Sequence, residues 1–116
     1  MKREDCISGM TVSFVHVRLN KNGAFKLKEK TGFVVDIATN DQLVCFRYGS
    51  PHQLHHDNLM PLGQLRDLRK FLVDGIAFAN LYAFAAVKPL TDLLTAIRPD
   101  ADLPKAVVGL SIKVKS

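Results

Sequence analysis

A chain of 116 residues, 47% hydrophobic and 23% charged, can bury one sizeable core and is too apolar to be disordered or fibrous. Its net charge of +5 favours anionic partners, although a small lysine excess also serves solubility. Two cysteines, Cys6 and Cys45, stand far apart with no CxxC or Cys/His ligand spacing, which implies reduced thiols and an intracellular home.

The leader Met1-Lys-Arg-Glu-Asp5 carries both signs of charge and no apolar core follows it, so no secretory signal is expected and the cytoplasm is. Gly9 opens a predicted strand from about Met10 to Leu19. Val12 and Phe14 share one face of it and Val15 and Val17 the other, a change of phase that suggests a bulge or a strand turning a barrel corner. Asn20-Lys-Asn-Gly23 is a hairpin turn, because Asn and Gly tolerate positive φ. From Ala24 to Lys30, Phe25 and Leu27 alternate with Lys26, Lys28 and Lys30, which separates an apolar from a cationic face. Phe33, Val35 and Ile37 then recur at period 2 and are expected in the core, as are Val44 and Phe46 of the next strand. Asn40 and Asp41 mark the turn between these strands, and Tyr48-Gly-Ser-Pro51 marks the following one.

A Gly, a V-x-I strand, a polar turn, a β-rich strand ending in Gly and a D-N-L-x-P-L exit together resemble SH3-like barrels of the KOW and Tudor kind. The residues that carry the resemblance are Gly32-Phe-Val-Val-Asp36 and Asp57-Asn-Leu-Met-Pro-Leu62, within a span of about Gly9 to Leu62. The resemblance implies a binding module, whose strand-and-loop surface takes RNA or DNA, peptides or modified side chains. A Tudor-type cage needs several clustered aromatics. Here aromatic content is 8%, tryptophan is absent, and Tyr48 is the only aromatic beside a predicted loop edge, since the alternation puts Phe25 and Phe33 in the core.

After Pro61 the period changes. Leu65, Leu68, Leu72 and Ile76 recur at helical intervals, with Phe71, Phe78, Tyr82 and Ala85 on an adjoining stripe. The segment 71–87 is apolar on nearly every side and calls for a second helix or another copy of the protein to cover it. Asp74, Asn80 and its short length exclude a membrane span. Arg66, Arg69 and Lys70, with Asp67 among them, crowd the first turns, where cations oppose the macrodipole, a placement that hints at a ligand or a salt bridge, although a plain solvent face is the expectation because the dipole effect fades after the first turn. Gly75, in mid-helix, suits close helix packing. Pro89 is expected to break or kink the helix. Leu90, Leu93, Leu94 and Ile97 make a second short helix closed by Arg98 and Pro99, and Ala106 to Lys115 returns to strand alternation. The expected architecture is therefore α+β: an SH3-like barrel over 9–62, a helical hairpin over 63–98 and a closing strand over 106–115, in a single domain.

Three groups of side chains are candidates for function. The first is basic: Lys26, Lys28 and Lys30, with Arg18, Lys21 and Arg47 as neighbours and Tyr48 available for base stacking. Alternate strand positions lie about 6.5 Å apart, close to the phosphate spacing along a single nucleic-acid strand, while the same lysines would also serve as a solvated, aggregation-resistant face. The second is His52, His55, His56 and Asp57, donors suited to zinc or another divalent ion. Adjacent His55 and His56 point apart on an extended chain, so a loop would have to reorient them, and turn histidines with no bound metal are the expectation. The third is the apolar helix, with Phe71, Phe78 and Tyr82 as an interface to a partner protein or a second copy. No G-x-S-x-G, P-loop, dinucleotide turn or positioned Cys/His pair occurs, so neither catalysis nor a cofactor is expected. The sequence favours a non-catalytic module that binds nucleic acid weakly with little sequence preference, the alternative being a protein-interaction adaptor or regulator.

Overall fold

A computed structural model describes residues 1–37, 43–64, 67–98 and 109–113, with the side chains of 36–37 and 109–113 outside the description. The expected turn at Asn40 and Asp41, the helix positions Leu65 and Arg66, Pro99 and the tail residues 106–108 and 114–115 therefore lie outside the described residues. The fold is α+β. Strands β1 (Thr11–Leu19), β2 (Ala24–Ile37), β3 (Leu43–Tyr48), β4 (Ser50–His55) and β5 (Met60–Pro61) precede helices α1 (Leu68–Tyr82) and α2 (Val87–Ala96), and β6 (Gly109–Lys113) follows. The sheet order is β4-β3-β2-β1-β5, with β6 paired to β2. The pairings of β1 with β5, β2 with β3 and β6, and β3 with β4 are antiparallel.

The chain divides into two compact units, Met1–Phe14 with Lys30–Gln64, and Val15–Glu29 with Leu65–Ser116. Both long strands contribute to each unit, and their burial changes phase where they pass from one to the other. In β1, Val12 and Phe14 are buried in the first unit and Val15 and Val17 in the second. In β2, Phe25 and Leu27 are buried in the second unit and Gly32 and Val34 in the first.

One expectation is corrected further along β2. Phe33 and Val35 are not core: they are 47% and 45% exposed, and Val34 between them is 1% exposed. The physical reason is a bulge. Val34 pairs with Phe46 but Asp36 pairs with Cys45, two steps on β2 against one on β3, so Val35 is the extra residue that reverses the parity. Beyond it Ile37 stands opposite Val44 in register. Val34 is further fixed by the Gly9 N–H donating to its carbonyl at 2.7 Å and its own N–H donating to the Met10 carbonyl at 2.9 Å.

The first unit is built on an aromatic cluster, with Phe14 and Phe46 at 4.6 Å between ring centres, Tyr48 edge-on to Phe14 at 5.3 Å, and His52 stacked on Phe46 at 5.5 Å. Val12, Val34, Val44, Leu54 and Leu59 complete this core. Gly32 is buried here because nothing larger fits: a Cβ would lie 2.8 Å from the Arg47 carbonyl oxygen and 3.1 Å from the Phe46 ring.

In the second unit the β1–β2 hairpin turns over 20–23, with Asn20 N–H donating to the Ala24 carbonyl at 2.8 Å and Gly23 at φ 77°, a conformation that favours glycine. Helix α1 starts at Leu68 because the Asp67 carboxylate caps it, accepting from the Lys70 N–H at 2.6 Å. Phe71, Leu72, Asp74, Gly75, Phe78 and Ala79 make its buried stripe. Gly75 meets the hairpin closely, since a Cβ there would lie 2.6 Å from Leu27 Cδ2 and 3.4 Å from Val15 Cγ1. The Lys70 ammonium lies 3.0 Å from the buried Asp74 carboxylate, so the ion-pair reading of the helix-start cations holds for Lys70.

The helix break is a second correction. The single helix expected over 71–87 ends at Tyr82, Phe84–Ala86 form a 3-10 turn, and Pro89 sits inside the first turn of α2. A proline ring collides with the carbonyl four residues before it, here Ala85, so a continuous helix is barred one turn upstream of the proline. In a new first turn its missing N–H costs nothing. Helix α2 packs on α1 and buries Leu90.

Among the described residues, two buried glycines separate in their expected tolerance. Gly32→Ala should cost about 2–3 kcal/mol in chemical denaturation, because the clash is with backbone that cannot move alone. Gly75→Ala should cost under about 1 kcal/mol, since a Leu27 methyl can rotate away and alanine regains helix propensity.

Candidate functional site

In the second unit the outward positions of β2 are cationic. Lys26 and Lys28 are exposed while their neighbours Phe25 and Leu27 are buried, so the strand holds the two ammonium groups outward from a fixed apolar base. Arg18 is exposed on β1 and Lys21 in the turn. The Asn20-to-Ala24 bond, extended one residue at a time along both antiparallel strands, brings Arg18 opposite Lys26. None of these four cations forms an ion pair among the described residues. They are therefore available to an anion. On its other edge this part of β2 pairs with β6, Lys26 with Ser111 and Lys28 with Gly109.

The remaining basic candidates belong to the first unit. Lys30 is half-buried and Arg47 exposed, with Arg47 directly opposite the exposed Phe33 in register. Tyr48 is half-buried, its ring edge-on to Phe14, so it joins the aromatic core more than it offers an open stacking face. Phe33 is the residue that sequence reasoning missed. Its alternation with Val35 and Ile37 assigned it to the core, and the only signal against that was the buried Gly32, which has no side chain to count as apolar.

Of the histidines, His52 stacks on Phe46 with its Nδ1 2.8 Å from the Ser50 carbonyl, and it stands apart in role from the other two of its group. His55 and His56 are brought together, 4.3 Å between ring centres and tilted by 31°, by the 3-10 turn His56–Asn58, with the Asp57 carboxylate against both. That turn supplies the reorientation an extended chain lacks.

Of the interface candidates, Phe71 and Phe78 are buried within their own chain, Phe78 against the rings of His16 at 5.0 Å and Tyr82 at 4.7 Å. Tyr82 is partly exposed, and Leu81 and Phe84 beside it are more so, Phe84 at 76%. Cys6 and Cys45 are free thiols. Burial pushes the Cys6 thiol up from its ordinary value, and its Sγ lies 3.6 Å from the Lys2 carbonyl. Its thiolate fraction at a given pH is thereby lowered, so a thiol reagent at pH 8 should modify the half-buried Cys45 first. Cys6 should follow only at higher pH or on unfolding, and equal rates for the two would contradict this environment.

No helix among the described residues is long and apolar enough to cross a membrane. Comparison of the chain with protein-family models, curated proteins and solved structures finds no match.

Proposed function

We propose that the protein is a non-catalytic, cytoplasmic binding module that holds the backbone of a nucleic acid, weakly and with little sequence preference, on the cationic face of the β1–β2 hairpin. One observation carries this reading: Lys26 and Lys28 stand exposed at alternate strand positions and without an ion pair among the described residues, with Arg18 and Lys21 beside them. The two lysines repeat at about 6.5 Å, a spacing that lets each meet a phosphate along one strand. Phosphate contacts of this kind give affinity without sequence readout. In the first unit, the exposed Phe33 opposite Arg47 is the arrangement that stacks an unpaired base beside a phosphate contact. An SH3-like barrel belongs to the same proposal, and the switch of buried phase in β1 and β2 supports it, since strands that turn a barrel corner change phase in this way.

Titration of a fluorescent oligonucleotide at low salt tests the reading. Binding of single strands is expected, and no detectable binding would refute it. A second reading, a partner protein or a second copy held by the apolar end of α1, is favoured by the exposure of Leu81, Tyr82 and Phe84. Association of that kind would be salt-tolerant and lost on Phe84→Asp.

A further inference from the structure

We propose that His55, His56 and Asp57 form a binding site for one divalent first-row transition ion, with zinc as the ordinary occupant. The three residues are consecutive, yet the 3-10 turn gathers a ligand atom from each within 4.8 Å of the others. The two carboxylate oxygens divide between the rings: Asp57 Oδ1 is 3.1 Å from His56 Nδ1, and Asp57 Oδ2 is 3.6 Å from His55 Nδ1.

The two carboxylate–imidazole separations fall near those of a coordination shell, and the full set, spread over up to 4.8 Å, has to draw together on the ion. With metal–ligand bonds of about 2.0–2.1 Å, neighbouring ligand atoms lie about 3.0 Å apart in an octahedron and 3.4 Å in a tetrahedron. The donor set also selects the ion. Two imidazoles and one carboxylate suit zinc, cobalt, nickel or copper, whereas calcium and magnesium require oxygen ligands.

The ion competes with contacts already present. His55 Nδ1 accepts the Asp57 N–H at 3.1 Å, and His56 Nδ1 lies 2.9 Å from the Met1 carbonyl oxygen, an acceptor, so that nitrogen bears the ring proton. Coordination through His56 Nδ1 moves this proton to Nε2 and leaves the Met1 oxygen beside the ion as a fourth donor in reach. The Met1 nitrogen, 2.9 Å from the Leu59 carbonyl and 3.4 Å from that of His56, donates to both and holds the Met1 carbonyl beside the turn. The site lies wholly in the first unit and shares no residue with the cationic hairpin, so it stands or falls apart from nucleic-acid binding.

The test uses the full chain without a histidine tag, titrated with zinc in a calorimeter and with cobalt in a visible spectrophotometer. We expect one equivalent of zinc to bind and to displace cobalt. Cobalt should give weak visible bands of nitrogen and oxygen ligation with no thiolate charge-transfer band. His55→Ala, His56→Ala and Asp57→Asn should each weaken zinc at least ~10-fold, judged on variants that keep the wild-type circular dichroism in chelator. Should a variant fail to fold, paramagnetic broadening in the wild type decides: cobalt should broaden the ring signals of His55 and His56 and spare those of His16 and His52. Absence of binding, broadening centred on His16 or His52, or zinc affinity unchanged in the folded variants would overturn the site.

Discussion

Replacing Val34 by aspartate should abolish folding, whereas the same change at Val35 should leave a cooperative protein. Val34 is fully buried opposite Phe46, and its backbone is bonded on both sides to the Gly9–Met10 segment. A carboxylate there would lose its water with no described cation to receive it. The expected cost, about 4 kcal/mol or more, is comparable to the whole stability of a domain this size. Val35 is the bulge residue, half in solvent, and Val35→Asp should cost no more than about 1 kcal/mol. Circular dichroism and urea unfolding of the two variants read the difference. The reverse order of damage would show that the register of β2 against β3 is misassigned.

That pair of residues also shows where the sequence was legible. The hairpin at 20–23 and the turn at Gly49 were readable, because Asn and Gly announce themselves through backbone preference, which is local. The alternation of Phe25 and Leu27 with Lys26 and Lys28 was readable too, since one apolar set faced one polar set. At 33–37 the period favoured Phe33, Val35 and Ile37 over Val34 and Asp36 and so pointed to the wrong face at 33–35, because the bulge that resets the phase is a property of pairing with β3. The exposed Phe33 was hidden for the same reason. In the helical half the sequence supplied the breaker but not its position, because Pro89 excludes helix from the turn before it and serves equally well inside a new first turn. The proximity of His55, His56 and Asp57 was legible as composition only. Whether neighbours converge depends on a 3-10 turn whose sequence signal is faint.

Reversing charge at two positions should have the largest functional effect. The double variant Lys26→Glu, Lys28→Glu turns two attractive contacts with a polyanion into repulsive ones on the same strand face, and single-stranded DNA affinity at low salt should fall about 100-fold or more. Both side chains are exposed and without an ion pair among the described residues, so stability should change by less than about 1 kcal/mol. The loss can then be read as binding and not as unfolding.

The dependence of oligonucleotide affinity on salt tests the central claim most directly. If Arg18, Lys21, Lys26 and Lys28 each neutralise one phosphate, log K for a single strand should fall against log salt with a slope of roughly −3, and Lys26→Ala, Lys28→Ala should make it shallower by roughly 1.4. Binding that ignores salt, or a slope that the double alanine variant leaves unchanged, would contradict a phosphate-holding hairpin.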